Sequence, residues 1–256
     1  MRQADELREL VEGYIRSLAF SGDVGGLEES LRYALESGGK RIRPVLCLAV
    51  AEAAGGDAER ALPAAAALEL VHSFSLVHDD LPSMDDDAER RGRPSVHVAF
   101  GEGIALLSGD ALLAEALRLA LSYDDPGIAR ELVEATLRMI GGQYLDITGD
   151  DGDLEELHRL KTGALFSASV GLGLRVAGVP EAEQASWRAF GEELGLLFQV
   201  VDDILDGDGY VLRLGGDGAR ALAGEVAART HARLAEVSGE TAVLCELVDA
   251  LTFRTG

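Results

Sequence analysis

The sequence predicts an all-α fold, a single-domain antiparallel helical bundle, and three observations lead there. Apolar residues recur with helical periodicity along the whole chain, no stretch shows strand-length alternation bounded by hairpin turns, and no proline- or serine-rich linker divides it. The connections between apolar runs are short, which favours antiparallel neighbours. With 256 residues, 47% of them hydrophobic, the chain can bury one substantial core, and this composition excludes a disordered chain.

Taken in order, residues 4–18 read as a short amphipathic helix, 21–26 as a loop, and LEESLRYALESG as a second helix ended by Gly38-Gly39. KRIRP at 40–44 then sets three bases within four residues. A helix over 45–54 stops at Gly55-Gly56, and a long Ala/Leu-rich helix runs from about 59 to 80. Gly92 and Pro94 mark a loop, and the run 103–122 is apolar enough to be a largely buried helix. Gly141-Gly142 are expected to break or kink the next helix near Gln143, and Thr162-Gly163 to interrupt the one after it. EAEQASWRAFGEELGLLFQVVDDILD, a turn at 207–209 and two terminal helices complete the chain.

Forty-five acidic residues stand against 23 Lys plus Arg, a formal charge of −22 that argues against nucleic acid as a partner. The apolar runs are interrupted by charge, so no transmembrane segment is expected. The N-terminus MRQADELREL lacks the apolar core of a signal peptide, and a cytoplasmic location is expected. Cys47 and Cys245 sit in apolar helical context and read as core thiols.

Chemistry concentrates in residues 66–94. An apolar helix delivers Asp79 and Asp80, meets Pro82, and continues into Asp85, Asp86 and Asp87, with Arg90 and Arg91 directly behind. Pro82 can bend that helix and bring Asp85 round to Asp79. A second apolar helix delivers Asp202, Asp203 and Asp206, where 202 and 206 share a face. Carboxylates converging in this way repel one another unless cations lie between them, and hard oxygen donors suit Mg²⁺, which bridges to phosphates. The competing account is solvated helix-end acids in an acidic protein. Lys40, Arg43 and Arg91 are candidates for a second anion, with Arg90 beside the first acidic cluster. His72 lies two turns before Asp79, and Lys161-Thr162, Gln143 and Gln199 add polar groups to otherwise apolar helices.

Five motifs occur in order: GGKRIRP at 38–44, HSFSLVHDDLPSMDDDAERRG at 72–92, GGQYLD at 141–146, KTG at 161–163 and FQVVDDILD at 198–206. Together they resemble the trans-isoprenyl diphosphate synthase family of farnesyl and geranylgeranyl diphosphate synthases. The resemblance implies an isoprenoid synthase fold around a central prenyl cavity, assembled as a homodimer. It further implies that Asp79, Asp80, Asp85, Asp202, Asp203 and Asp206 hold three Mg²⁺ with an allylic diphosphate (dimethylallyl or geranyl). Arg90, Lys161, Thr162 and Gln199 would assist, and Lys40, Arg43, His72 and Arg91 would bind isopentenyl diphosphate. Phe74, with Ser75 beside it, would set product length. An aromatic residue there, with four residues between Asp80 and Asp85, is most like bacterial farnesyl diphosphate synthases. The expected product is therefore C15, with C20 as the competing length.

One departure stands out. The family follows its second acidic motif with a lysine-bearing loop, whereas here Asp206 runs directly into GDGYVLRLGGDG. The loop is either deleted or missing from the sequence at hand. The second reading is preferred because all six motif aspartates are intact. Two further functions compete with the synthase: a class I terpene cyclase, and a non-catalytic subunit of a prenyltransferase heterodimer. The intact Lys40, Arg43 and Arg91 set argues against the first, and the intact aspartates argue against the second.

Overall fold

The computed structural model describes residues 2–36, 38–149 and 154–253, so Ser37 of the expected second helix lies outside the described residues. The helices are α1 (Ala4–Ser17), α2 (Glu28–Leu35), α3 (Ile42–Ala53), α4 (Ala58–Asp79), α5 (Val96–Phe100), α6 (Glu102–Ala120), α7 (Pro126–Thr148), α8 (Leu154–His158), α9 (Ala164–Val176), α10 (Ala185–Asp206), α11 (Gly209–Glu236) and α12 (Ala242–Thr252). This is the all-α bundle the periodicity predicts.

The core forms around α4, which packs against α3, α6 and α9. Ala64, Ala65, Ala66 and Ala67 are buried, and such small side chains let neighbouring helices approach closely. Pro63 sits inside α4. The rung beside it is repaired by a side chain: the Tyr123 hydroxyl accepts from the Ala64 N–H at 3.1 Å and donates to the Arg60 carbonyl at 2.7 Å. By length and composition α4 is also apolar enough to cross a membrane, contrary to the expectation above, but 67% of its apolar window is buried in the fold. A buried core helix passes the same composition test.

Three local expectations are corrected. A strand pair exists where none is expected: Glu89–Arg90 (β1) pairs antiparallel with Arg93–Pro94 (β2). The two central residues of its turn, Arg91 and Gly92, have φ of 55° and 75°, as a tight hairpin requires. At two residues each, these strands are too short to show alternation. Pro82 does not bend α4. The helix ends at Asp79, and a turn returns the Asp85 N–H to the Asp79 carbonyl at 2.9 Å.

Nor does Gly141-Gly142 break α7, which is continuous from Pro126 to Thr148. Gly142 is instead a point of close approach, where a Cβ would lie 2.4 Å from the Lys161 backbone nitrogen. The segment approached is Arg159–Gly163, a single π-helical turn between α8 and α9. On its other flank a Cβ at Gly195 would lie 3.0 Å from the Gly163 Cα. The expected interruption at Thr162-Gly163 is thus a π turn, seated between glycines of α7 and α10, and it carries Lys161 and Thr162.

Gly141 meets nothing within 4 Å, so the two adjacent glycines make opposite demands. Gly142→Ala forces backbone apart and should destabilise by roughly 1–3 kcal/mol. Gly141→Ala gains helix propensity and should be neutral or stabilising by up to about 1 kcal/mol. Urea denaturation of the two variants checks this, and equal effects would refute the close-packing role of Gly142.

Candidate active site

The N-terminus of α3, the inner face of α4, α7, the π turn and α10 enclose a cavity of about 950 Å³. Its lining gathers residues far apart in sequence: Lys40, Arg43, His72, Phe74, Ser75, Asp79, Arg91, Lys161, Thr162 and Asp202. On α4, His72, Ser75 and Asp79 fall at i, i+3 and i+7 and so share one face.

One part of the lining is basic. The Arg43 guanidinium carbon lies 4.8 Å from the centre of the Phe166 ring and 5.6 Å from that of Phe198, and Nε is buried without a partner among the described residues. Burial draws this arginine down to about 10, with Glu69 and Asp202 opposing, so it stays protonated at neutral pH. Burial, followed by the fields of Arg43, Arg91, Arg41 and Arg90, holds His72 well below the usual histidine range. It is therefore a neutral imidazole. Arg91 donates to the Gly38 carbonyl, and Lys40 is exposed at the rim.

The acidic part is smaller than the spacing predicts. Of the six motif aspartates, only Asp79 and Asp202 line the cavity. Burial pushes each carboxyl up to about 6. Asp85 and Asp80 reinforce the rise at Asp79 against Lys161 and Arg90, and Asp206 and Asp203 reinforce it at Asp202 against Arg43. Asp80 is buried and accepts from Arg90 Nε at 2.7 Å, while Arg90 also reaches Asp87 at 3.2 Å. Asp203 accepts from Gln199 Nε2 at 2.7 Å and from the Tyr210 N–H at 2.8 Å. Gln199 in turn accepts from the Thr162 hydroxyl at 2.6 Å. Asp85 and Asp206 are exposed at the ends of their segments.

Among the described residues no three His, Cys, Asp or Glu side chains form a ready metal-holding group. The donor chemistry nevertheless fits a hard divalent cation. Two carboxylates whose ionised forms are destabilised by burial and by like charge share one cavity, with further carboxylates beside them.

Sequence reasoning missed the polar lining groups Glu69 and His78, whereas it singled out Lys161 and Gln143. Glu69 is buried on α4, accepts from Arg41, and lies one turn before His72; an acid in the middle of an apolar stretch was the available signal. Lys161 Nζ is paired with Asp146 at 2.5 Å. Both amide atoms of Gln143 are buried in the cavity wall without a partner among the described residues. His78 packs edge-on against Phe74, ring centres 5.3 Å apart, and its Nε2 lies 3.0 Å from the Leu106 carbonyl.

The polyprenyl synthetase family model matches residues 25–217. The geranylgeranyl diphosphate synthase of Cyanophora paradoxa is 42% identical over 216 residues, 78% of this chain and 72% of that protein. The farnesyl diphosphate synthase of Geobacillus stearothermophilus is 38% identical over 261 residues, covering 88% of each chain. A crystal structure of geranyltransferase from Legionella pneumophila superposes with a TM-score of 0.85 at 32% identity, covering 98% of this chain and 96% of that one. Relatives named for C20 and C15 products thus stand side by side, and the likeness to bacterial farnesyl enzymes is not singled out. With an all-α cavity carrying acids and arginines in the family's motif order, the chain belongs to the polyprenyl synthetase family of trans-prenyltransferases.

Proposed function

We propose that the protein condenses isopentenyl diphosphate head-to-tail with dimethylallyl or geranyl diphosphate, in a Mg²⁺-dependent reaction whose main product is the C15 farnesyl diphosphate. The observation carrying this reading is a single cavity lined at once by Lys40, Arg43 and Arg91, by Asp79 and Asp202, and by Phe74. The three cations, with neutral His72 as a hydrogen-bonding neighbour, hold the diphosphate of isopentenyl diphosphate. Lys161, Thr162, Arg90 and Gln199 serve the allylic diphosphate. Three Mg²⁺ would be held by Asp79 and Asp202 together with Asp80, Asp85, Asp203 and Asp206, and when bound they neutralise the charge that develops on the departing diphosphate. The allylic C–O bond breaks, the isopentenyl double bond supplies the electrons of the new C–C bond, and a proton leaves to the released diphosphate. The apolar lining keeps water from the cation. The basic set favours this over a terpene cyclase, which has no second diphosphate to hold.

Phe74 lies five residues, about 7.5 Å along the helix axis, before Asp79. An aromatic ring at that depth supports the C15 assignment. Incubating the full-length gene product with Mg²⁺, isopentenyl diphosphate and C5, C10 or C15 allylic diphosphates should accumulate a C15 product. Phe74→Ala should shift the product toward C20. A wild-type C20 product would end the Phe74 argument, and no condensation with any pair would end the synthase reading.

Because Asp79 and Asp202 carry folded-state values near 6, above the usual carboxylate range, the folded protein binds more protons than the unfolded chain between about pH 4 and 6. Their contribution to stability therefore falls as pH rises through that window and stays low above it. In chelator, Asp79→Asn should lose less thermal stability than wild type between pH 4.5 and 7. Added Mg²⁺ should raise the wild-type melting temperature more at pH 7.5 than at pH 5. An equal rise at both pH values would separate these acids from the metal.

The homodimer has its own support. Val133, Leu137, Ile140, Tyr144 and Ile147 repeat every four and three residues along α7, and all are exposed, Leu137 at 62% and Tyr144 at 66%. Such a narrow stripe suits pairing with a second copy across a helix seam. Sedimentation should give a dimer for the wild type and a folded monomer for Leu137→Glu. A monomeric wild type at micromolar concentration would rule this seam out.

A further inference from the structure

The basic part of the cavity hangs on an improbable turn. Gly38, Gly39 and Arg41 have φ of 80°, 141° and 49°, so three left-handed residues occur within four positions just before α3. Arg41 is the only one of them with a side chain, and α3 starts there without a side-chain cap. Lys40 and Arg43, on either side, must nevertheless face the same cavity.

What fixes the turn is the Arg41 side chain, which is almost wholly buried. Its Nε donates to Glu12 at 2.7 Å, one terminal nitrogen donates to Glu69, and the other to the Leu35 carbonyl. One planar guanidinium thus ties together α1, the end of α2 and the middle of α4. On the opposite side Arg91 holds the Gly38 carbonyl, and a Cβ at Gly39 would lie 2.5 Å from an Arg91 guanidinium nitrogen. The anchoring carboxylate, Glu69, itself lines the cavity, and its charge acts on Arg43 and Arg91 as well as on Arg41.

We infer that Arg41 and Glu69 are positioning residues for diphosphate: the buried pair sets the left-handed turn so that Lys40 and Arg43 present their charges to one anion. Neither group is required to touch the substrate. Lysine cannot replace Arg41, because an ammonium has no fork to span Glu12, Glu69 and the Leu35 carbonyl together. Glutamine at 69 keeps the shape but weakens the charge-assisted anchor. The inference rests on the proposed synthase reading for its substrate, though not for its binding test.

The experiment measures inorganic diphosphate binding by calorimetry without metal, together with steady-state KM values, for wild type, Arg41→Lys and Glu69→Gln. Binding of diphosphate should weaken at least tenfold in both variants. KM for isopentenyl diphosphate should rise by the same factor, while kcat and KM for geranyl diphosphate stay within about threefold, a split that general loss of folding does not produce. Glu12→Gln, at the more exposed end of the clamp, should give the same pattern more weakly, and it remains usable if either buried variant fails to fold. Parallel changes in both KM values, unchanged diphosphate binding in a folded variant, or a wild type that does not bind diphosphate would each overturn the inference. A wild type that binds diphosphate but condenses nothing would overturn the synthase reading and leave the positioning test standing.

Discussion

Burying charges of one sign next to each other is the constraint on which this structure depends. Asp79 and Asp202 line one cavity where both are harder to ionise than in water, and Arg43 packs against the Phe166 and Phe198 rings with its Nε buried and unpartnered among the described residues. An isolated buried charge costs far more than a surface ion pair returns. Such an arrangement survives only on a rigid frame, and the frame is visible. Tyr123 repairs α4 beside Pro63, glycines of α7 and α10 grip the π turn, and the Arg41 guanidinium bridges three helices. These devices stiffen the frame around the cavity, and two of them, the π turn and the Arg41–Glu69 pair, form part of its lining.

The sequence made the bundle and the chemistry legible for a simple reason: both depend on local spacing. Apolar periodicity shows where helices lie, and paired aspartates at the ends of two apolar helices show where they deliver charge. Everything that depended on a second element was hidden. Gly142 reads as a helix breaker because its neighbour, the Lys161 backbone, is distant in the chain. Asp203 reads as equal to Asp202, but Tyr210 lies just past a short glycine turn and offers its N–H to Asp203. A Cβ at Gly209 would lie 2.0 Å from the Asp203 carboxylate, so that turn brings the backbone close to it. Asp80 is likewise taken by Arg90, at the start of a hairpin too short to announce itself.

Glu69 is the instructive omission. It sits three residues before His72 in a helix otherwise rich in alanine and leucine, where a carboxylate is costly unless paired. That cost was the signal. Its partner Arg41 was also in view, inside the basic run KRIRP, but a run of bases does not reveal which member turns inward. The fold decides it: the left-handed backbone at Arg41 sends its guanidinium to Glu12 and Glu69 on α1 and α4, although Arg41 lines the cavity along with the flanking Lys40 and Arg43.

The same logic links the cavity to the surface. Ile140, Tyr144 and Ile147 line the cavity and are exposed, so part of the apolar stripe on α7 is also cavity lining. Those residues cannot answer to the cavity alone. Under the proposed function, a larger side chain at Ile140 would change both the space open to a growing hydrocarbon and the surface offered to a second copy. Gln143, between them with both amide atoms buried and unpartnered among the described residues, is the polar point in this part of the lining. The two demands therefore meet on α7, in the apolar stripe that includes these residues. Covering that stripe removes apolar surface from water and shields the dry side of the cavity in a single step.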